Sequence, residues 1–275
     1  MKEIIARLKK DKVGIVGVIG VGLVLVLGLF GPWLSPHDST EMYKEHMLEG
    51  PSATYWFGTD EFGRDIFSRV VEGARVSLYV GLISVGIGAS LGFVFGLIAG
   101  FFQNWIDNLI MRIMDILFAF PDILLALTIV AVLGPNLENT MIAIGIVFTP
   151  VFTRTVRAAV IAVKEMEFIT SAKAIGVKTH KVIFRHVSPN VLAPFIVQST
   201  LALSGAILTE AALSFLGLGI QPPNPSWGAM LNESRQYMEI APWIAIFPAL
   251  FIIVTIFCFN LLGDSLRDLL DPKLK

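Results

Sequence analysis

The sequence holds few charged residues and a single cysteine. Asp, Glu, Lys and Arg make up 16% of its 275 residues, whereas hydrophobic types make up 55%. An average soluble domain has about 25% charged residues. Because Cys258 is alone, an intrachain disulfide and a cysteine metal cluster are excluded. The net charge of -1 lacks the basic excess typical of nucleic-acid-binding proteins, so no nucleic-acid partner is expected.

The motifs of common hydrolases are also missing. The sequence contains no H-E-x-x-H pair for zinc and no G-x-x-x-x-G-K-[ST] loop for a nucleotide phosphate. None of its four histidines lies inside a long apolar run, which removes the base that a membrane-buried serine hydrolase needs. We therefore expect no enzyme activity, no metal site and no cofactor in this chain. Any energy for its function must come from a partner or an ion gradient.

Long apolar runs are abundant. A helix that crosses a bilayer needs about 20 apolar residues. Six such runs lie at about 13–34, 76–102, 109–133, 141–163, 191–213 and 240–262. The sequence therefore predicts an all-α integral membrane protein with six transmembrane helices. Pro121 is expected to kink the third helix.

The basic residues predict which loops face the cytosol. With six spans and a cytoplasmic start, 16 of the 21 Lys and Arg residues fall on the cytoplasmic side. The other five are Lys44, Arg64, Arg69, Arg75 and Arg235. Because cytoplasmic loops are rich in Lys and Arg, both termini are predicted to be cytoplasmic. An odd number of spans would put the basic C-terminus outside, which favours an even count.

Glycine recurs every four residues in the second span, at Gly88, Gly92, Gly96 and Gly100. Glycine is common in membrane helices in general. Four in register, however, form a smooth stripe that lets another helix backbone approach closely. This stripe predicts a tight contact between the second span and a neighbouring helix.

The basic segment 167–190 reads as two short cytoplasmic helices. Apolar residues recur at helical spacing at Phe168, Ala172 and Ile175. Gly176 is expected to end the first helix in a left-handed conformation, and Thr179 to cap a second helix that stops before Pro189. Periodicity alone leaves two interpretations open: a docking element for another protein, or a charged loop that follows the distribution of basic residues.

An amphipathic helix is predicted on the outer side, before the second span. Acid–base pairs at i,i+4 spacing are Asp60 with Arg64 and Asp65 with Arg69. The apolar residues of its face are Ile66, Phe67, Val70, Val71 and Ala74. It is either a gate or landing surface for a partner, or an anchor at the membrane interface. In the second outer loop, Trp227 is expected to dip into that interface.

Ionisable residues inside the spans are candidates for a transport pathway. Glu210 and Asp122 are the two candidates, although Glu210 could reach the outer interface and Asp122 could cap a helix after Pro121. Arg112 and Asp115 are expected to form a local ion pair. A stand-alone secondary transporter with Asp122 or Glu210 as its proton relay therefore stays open as an alternative.

The segment 167–190 resembles the EAA loop of the membrane subunits of ABC importers. Gly176 and Pro189 match its glycine and later proline, whereas Thr170, Ser171 and Ala172 replace the initial Glu-Ala-Ala, and Ser188 replaces a leucine. The resemblance implies that this loop couples to an ATPase. The implied coupling residues are Lys173, Ala174, Gly176, Val177, Lys178, Thr179 and His180.

Three further segments, at 57–78, 208–231 and 259–272, resemble the dipeptide, oligopeptide and nickel permease family, and in particular its C-type second permease subunit. The resemblance implies the type I ABC importer permease fold and half of a translocation pathway. It also implies a homologous permease subunit, two ATPase subunits that bind ATP, and an extracytoplasmic solute-binding protein. The predicted division is a segment 1–75 with the first span and outer helix, and a five-helix core 76–275 with the coupling loop at 165–189.

Overall fold

The computed structural model describes residues 11–270, and most of them are helical. In chain order the helices are α1 (Lys12–Leu34), α2 (Ile66–Phe102), α3 (Trp105–Phe118), α4 (Asp122–Leu133), α5 (Leu137–Lys164), α6 (Glu167–Ala174), α7 (Thr179–Lys181), α8 (Leu192–Phe215), α9 (Trp227–Ser234) and α10 (Trp243–Leu270). A π-helical turn and a 3-10 turn join α7 to α8. Five helical stretches are long and apolar enough to cross a membrane, and α3 with α4 supply a sixth if they count as one broken span. This confirms the all-α architecture with six predicted spans.

The first and last spans begin and end at the same end of the bundle. The Ser265 hydroxyl, near the end of α10, donates a 2.6 Å hydrogen bond to Asp11, which caps the start of α1. An even number of crossings follows, as the basic residues predicted. The basic segment 1–10 and the residues Lys273 and Lys275 lie outside the described residues. We call the end that carries residues 167–190 the hairpin end, and the opposite end, with residues 35–65 and 216–242, the cap end.

The glycine stripe of α2 packs against α5, as predicted. A methyl group added at Gly88 would lie 2.8 Å from the Gly145 carbonyl oxygen, and one added at Gly100 would lie 2.9 Å from that of Arg157. Successive glycines meet carbonyls that are themselves four residues apart, so the two helices run in the same direction and keep one register. Because no side chain separates them, the backbones of α2 and α5 touch along their membrane-spanning length.

A second glycine stripe, which the sequence analysis missed, attaches α1 to the bundle. Its members are Gly14, Gly17, Gly20, Gly28 and Gly31. The first three face α10 near Ser265, Leu262 and Cys258, whereas the last two face Leu78 and Val71 of α2. The successive steps are three, three, eight and three residues, so no single period marked them in the sequence. Helix α1 therefore crosses from α10 at the hairpin end to α2 at the cap end.

The third span is broken. Helices α3 and α4 meet at Pro121 with a bend of 92°, far more than the kink that was predicted. With 12 residues, α4 is about 18 Å long, too short to cross a hydrocarbon core of about 30 Å by itself. Helix α3 is strongly amphipathic and lies across α5, to which two ion pairs attach it.

Those ion pairs correct the predicted Arg112–Asp115 pair. Asp115 instead accepts a 2.6 Å hydrogen bond from Arg154 of α5, and Asp107 accepts two 2.7 Å bonds from Arg157. The sequence-local pair was wrong because both acidic residues face the α5 arginines, which are far away in sequence.

The outer amphipathic helix was predicted to lie on the membrane surface, and this placement was wrong. Residues 66–74 are the first two turns of α2, and Ile66, Val70, Val71 and Ala74 are fully buried inside the protein rather than laid on a membrane surface. Trp227 covers them: it is fully buried, and its indole N–H donates a 2.9 Å hydrogen bond to the Val70 carbonyl. Trp227 therefore does not dip into the membrane interface.

We expect Gly96→Leu to destabilise the protein much more than Gly86→Leu. A Cβ at Gly96 would lie 2.6 Å from the Val156 Cβ and 2.7 Å from the Thr153 carbonyl oxygen, whereas a Cβ at Gly86 on the same helix meets nothing within 4 Å. Overpacking costs about 1–3 kcal/mol when neighbouring side chains can shift. The cost at Gly96 should lie at the upper end of this range, because one of the neighbours is backbone and cannot move aside. Thermal unfolding of the purified protein measures the difference, and equal unfolding temperatures would contradict the contact.

Candidate functional site

The hairpin turn has the geometry that Gly176 predicted. Gly176 has φ +81, and its N–H bonds to the Lys173 carbonyl at 3.0 Å, while the Val177 N–H bonds to the Ala172 carbonyl at 3.1 Å. This pair of bonds is the Schellman motif, which satisfies the last carbonyls of a helix. The turn reverses the chain tightly between α6 and α7, so the hairpin is compact.

The buried face of α6 differs from the predicted one. Ile169 and Ala172 point into the protein, whereas Phe168 is exposed and Ile175 is 81% exposed. The apolar spacing was correct for a helix, but only one of its three residues faces inward. Two large apolar side chains are thereby presented on the surface of the hairpin.

The second half of the hairpin is continuous with the membrane span. Lys178 occupies the capping position without a side-chain hydrogen bond, and Thr179 is the first helical residue, so Thr179 is not the cap. The helical path also runs through Pro189 instead of stopping before it. The π-helical turn Val182–Val187 and the 3-10 turn Ser188–Val191 change the hydrogen-bond pattern there, which accommodates a residue without an N–H.

Buried residues seat the hairpin on the ends of α2 and α5. Ile169, Val182 and Val187 are fully buried in one cluster with Phe101 of α2 and Val160 of α5. The ammonium groups of Lys173 and Lys164 lie over the Phe101 ring, at 5.4 and 5.7 Å from its centroid. The hairpin therefore has an inner face that packs on two spans and an outer face that no other part of residues 11–270 covers.

The seven predicted coupling residues lie together at the tip of the hairpin. Lys173, Ala174, Gly176, Lys178, Thr179 and His180 are exposed, and Val177 packs partly against the buried cluster. Phe184, which the sequence analysis missed, is 70% exposed beside them. No sequence signal distinguishes it from a core phenylalanine, because it sits in a short apolar stretch whose other members are buried.

A cluster of buried charges lies at the cap end. Arg64 and Arg69 both donate to one carboxylate oxygen of Glu233, at 3.0 and 2.9 Å, and both face Asp60. The Arg64–Asp60 pair was predicted, with 2.6 Å between the atoms. The Asp65–Arg69 pair was wrong, because Asp65 instead caps α2 by accepting bonds from Ser68.

This cluster joins three separate parts of the cap: the loop before α2, the start of α2 and helix α9. Arg69 has 1% of its side chain exposed and Arg64 has 3%, so the attraction acts with little screening by water. Burial also raises the pKa of the neighbouring Glu61 carboxyl. The cluster fixes α9 against the first turn of α2.

The two candidate pathway residues have different surroundings. Glu210 is buried inside the bundle and accepts hydrogen bonds from Ser77 of α2 at 3.1 Å and from Ser214 at 2.7 Å. These bonds join α2 to α8, and the predicted place of Glu210 in the pathway stays a prediction. Asp122 is exposed at the first turn of α4, beside the break in the third span. Its predicted place in the pathway stays a prediction.

In residues 11–270, no group of three His, Cys, Asp or Glu side chains is placed to hold a metal ion.

We expect Glu233→Ala to unfold the cap at a much lower temperature than Glu239→Ala. The first change removes one of the two carboxylates that the buried Arg64 and Arg69 share and leaves Asp60, so the loss should lie below the roughly 3–5 kcal/mol that an uncompensated buried charge costs. Glu239 is an exposed acid of the same cap and serves as the matched control. Thermal unfolding of the purified variants tests the prediction, which fails if both variants lose equal stability.

Comparison with known families places this chain. The family described as binding-protein-dependent transport system inner membrane component matches residues 92–275, and the N-terminal transmembrane domain of oligopeptide transport permease C matches residues 1–51. The chain is 52% identical over 274 residues to the dipeptide transport system permease protein DppC of Alkalihalophilus pseudofirmus, covering 100% of this chain and 90% of that protein. It is 44% identical over 275 residues to the glutathione transport system permease protein GsiD of Pectobacterium atrosepticum, covering 100% and 91%.

A solved structure shares the fold. The inward-facing MetNI methionine ABC transporter aligns with a TM-score of 0.62 at 14% identity, over 74% of this chain and 96% of the matched chain. The match supports the type I importer permease fold. The family model and the named relatives support an ABC importer permease and not the alternative of a secondary transporter. Since its relatives are transport permeases, the chain is a transport subunit and not an enzyme. The chain thus belongs to the binding-protein-dependent transport system inner membrane component family, as a C-type permease subunit of the peptide group of ABC importers.

Proposed function

We propose that this chain forms half of a translocation pathway with one homologous permease subunit, driven by two ATPase subunits that bind the ATP. The pair would lie in the cell (inner) membrane of a bacterium or archaeon, with the hairpin end and both termini in the cytosol. An extracytoplasmic binding protein would deliver the solute at the cap end. The names of the relatives support dipeptides, oligopeptides or a related solute such as glutathione, and the family resemblance adds nickel chelates.

The observation that carries this proposal is the two-faced hairpin. Its outer face presents Phe168, Ile175 and Phe184 among Lys173 and Lys178, so it combines exposed apolar side chains with positive charge. Exposed apolar residues that are rimmed by polar ones mark protein interaction sites. An ATPase subunit that packs on this face would contact a hairpin that is held firmly in place, because the inner face of the hairpin is buried against α2 and α5.

Force on the hairpin would reach the cap through α2. This helix has 37 residues and is about 55 Å long, with Phe101 under the hairpin at one end and Arg69 in the buried charge cluster at the other. Because the glycine contact holds α5 to α2 in one register, the two helices would move together. Closure of the ATPases could therefore alter the bundle at both ends at once.

We expect Gly176→Trp to abolish coupling and Gly134→Trp to leave it intact. Both glycines have positive φ, and a Cβ at either position meets nothing within 4 Å, so the space is matched, whereas Gly134, with φ 96 and ψ 146, is the more strained position for a side chain and is therefore a stringent control. A non-glycine residue in the left-handed conformation of Gly176 costs about 1–2 kcal/mol. This cost shifts the equilibrium between the native hairpin turn and other backbone conformations by roughly tenfold. Only Gly176 lies on the hairpin. Solute uptake and ATP hydrolysis in reconstituted vesicles would show uptake reduced by about tenfold or more with hydrolysis retained; normal uptake by Gly176→Trp would contradict the coupling role.

The orientation is testable with cysteine labelling. Lys173→Cys and Lys178→Cys should react with a membrane-impermeant thiol reagent only after cells are permeabilised, whereas Glu45→Cys, exposed at the cap end, should react in intact cells. The native Cys258 is buried, so its background is low. Labelling of the hairpin cysteines in intact cells would reverse the proposed orientation.

A further inference from the structure

A long apolar hollow lies between α1, α2, α8 and α10. Its volume is about 740 Å³, within the range of roughly 300–1,000 Å³ typical of ligand sites. Leu25 and Leu29 of α1 form one wall and Leu82 of α2 forms another, while Leu203 and Phe259 lie at its floor. The hollow exists because α1 leaves α10 at Gly20 and reaches α2 only at Gly28, so a wedge opens between the two contacts.

Along α2 the hollow is about 10 Å deep, which is most of the roughly 15 Å hydrocarbon thickness of one leaflet. Arg75 lies at its rim and Leu82 is seven residues further along α2, about 10 Å deeper. At the floor, Leu203 lies about 18 Å from the cap end of α8 at Phe215. Half of a hydrocarbon core is about 15 Å. The hollow therefore runs from the membrane boundary at the cap end to about the bilayer midplane.

The rim carries a pair of opposite charges. Arg75 and Glu72 stand one turn apart on α2, with 3.9 Å between guanidinium nitrogen and carboxylate oxygen, and Arg75 has 62% of its side chain exposed. Tyr79, one turn deeper on α2, has the amphipathic ring common at membrane interfaces. The other lining residues are apolar, so the charged groups lie at one end.

We propose that this hollow binds one phospholipid with an ethanolamine headgroup in the leaflet at the cap end. The acyl chain would fill the apolar wedge. Arg75 would pair with the phosphate and Glu72 with the primary ammonium, so each rim charge meets its opposite. An anionic headgroup without an amine would satisfy Arg75 only and would face Glu72 with like charge, and a choline headgroup has no N–H to donate.

The depth of the hollow argues against a transmembrane helix as its occupant. A helix from a second permease subunit would need a groove across the full core of about 30 Å. This hollow closes near the midplane, where α1 packs directly on α10. A lipid chain, by contrast, ends there naturally.

Native mass spectrometry of the permease complex tests the proposal, with ethanolamine, choline and glycerol phospholipids of identical chains added in equal amounts. We expect one retained lipid with about a fivefold preference for ethanolamine over choline, the ratio that 1 kcal/mol gives. Leu82→Trp fills the hollow and should lose this lipid. Leu23→Trp is the matched control, because Leu23 is 61% exposed, against 62% for Leu82, and does not line the hollow.

The rim is tested separately. Glu72→Gln should remove the preference for ethanolamine while a lipid is still retained, and Arg75→Gln should reduce retention of all three lipids. Both positions are at the surface, so these variants serve if Leu82→Trp fails to fold. Equal lipid retention by the Leu82→Trp and Leu23→Trp variants would overturn the proposal, as would unchanged selectivity in both rim variants. Loss of the second permease subunit from the Leu82→Trp complex, with lipid retained, would make the hollow a subunit interface instead.

Discussion

The backbone contact between α2 and α5 is the constraint on which the rest of the bundle depends. Four glycines remove every side chain from one face of α2, so the carbonyls of α5 lie within van der Waals reach of its backbone. In a membrane, helices gain little from hiding apolar surface, because lipid is equally apolar, and close packing supplies the attraction instead. Helices α8 and α10 pack around this pair, and the hairpin and the cap cover its two ends.

Polar contacts fix the positions of the helices that the glycine contact does not hold. Arg154 and Arg157 of α5 hold the oblique helix α3 through Asp115 and Asp107. At the cap end, Glu210 joins α2 to α8 inside the bundle. Since an unpaired polar group costs several kcal/mol away from water, the buried Glu210 and Asp107 restrict their helices most strongly.

The same arrangement links the two ends of the molecule physically. The hairpin packs on Phe101 and the charge cluster includes Arg69, and both residues belong to the single helix α2. A hinge between them is absent from the described helix, which is continuous from Ile66 to Phe102. The broken third span, with its 92° bend at Pro121, is the contrasting element: it interrupts the bundle where α4 leaves Asp122 exposed.

Much of this architecture followed from local rules in the sequence. Apolar length predicted the spans because a bilayer imposes a minimum length on each helix. The four-residue glycine period predicted the α2–α5 contact, and Gly176 predicted the hairpin turn, because each is a property of the residue itself and its near neighbours. The hairpin's basic residues left two interpretations open, a docking element or a charged loop, and the family resemblance alone favoured docking.

Pairings between distant segments were decided only by the tertiary structure. Asp115 and Arg69 each had a suitable partner nearby in sequence, yet both pair across the fold, because helix packing brings Arg154 to Asp115 at the surface and holds the buried Arg69 against Glu233. Trp227 and Ile66 read as membrane-surface residues, since amphipathic spacing does not reveal whether lipid or protein covers the apolar face. The sequence by itself therefore determined the apolar spans and their tightest helix contact, whereas only the three-dimensional packing decided where the third span breaks, which charges meet and which apolar faces are hidden.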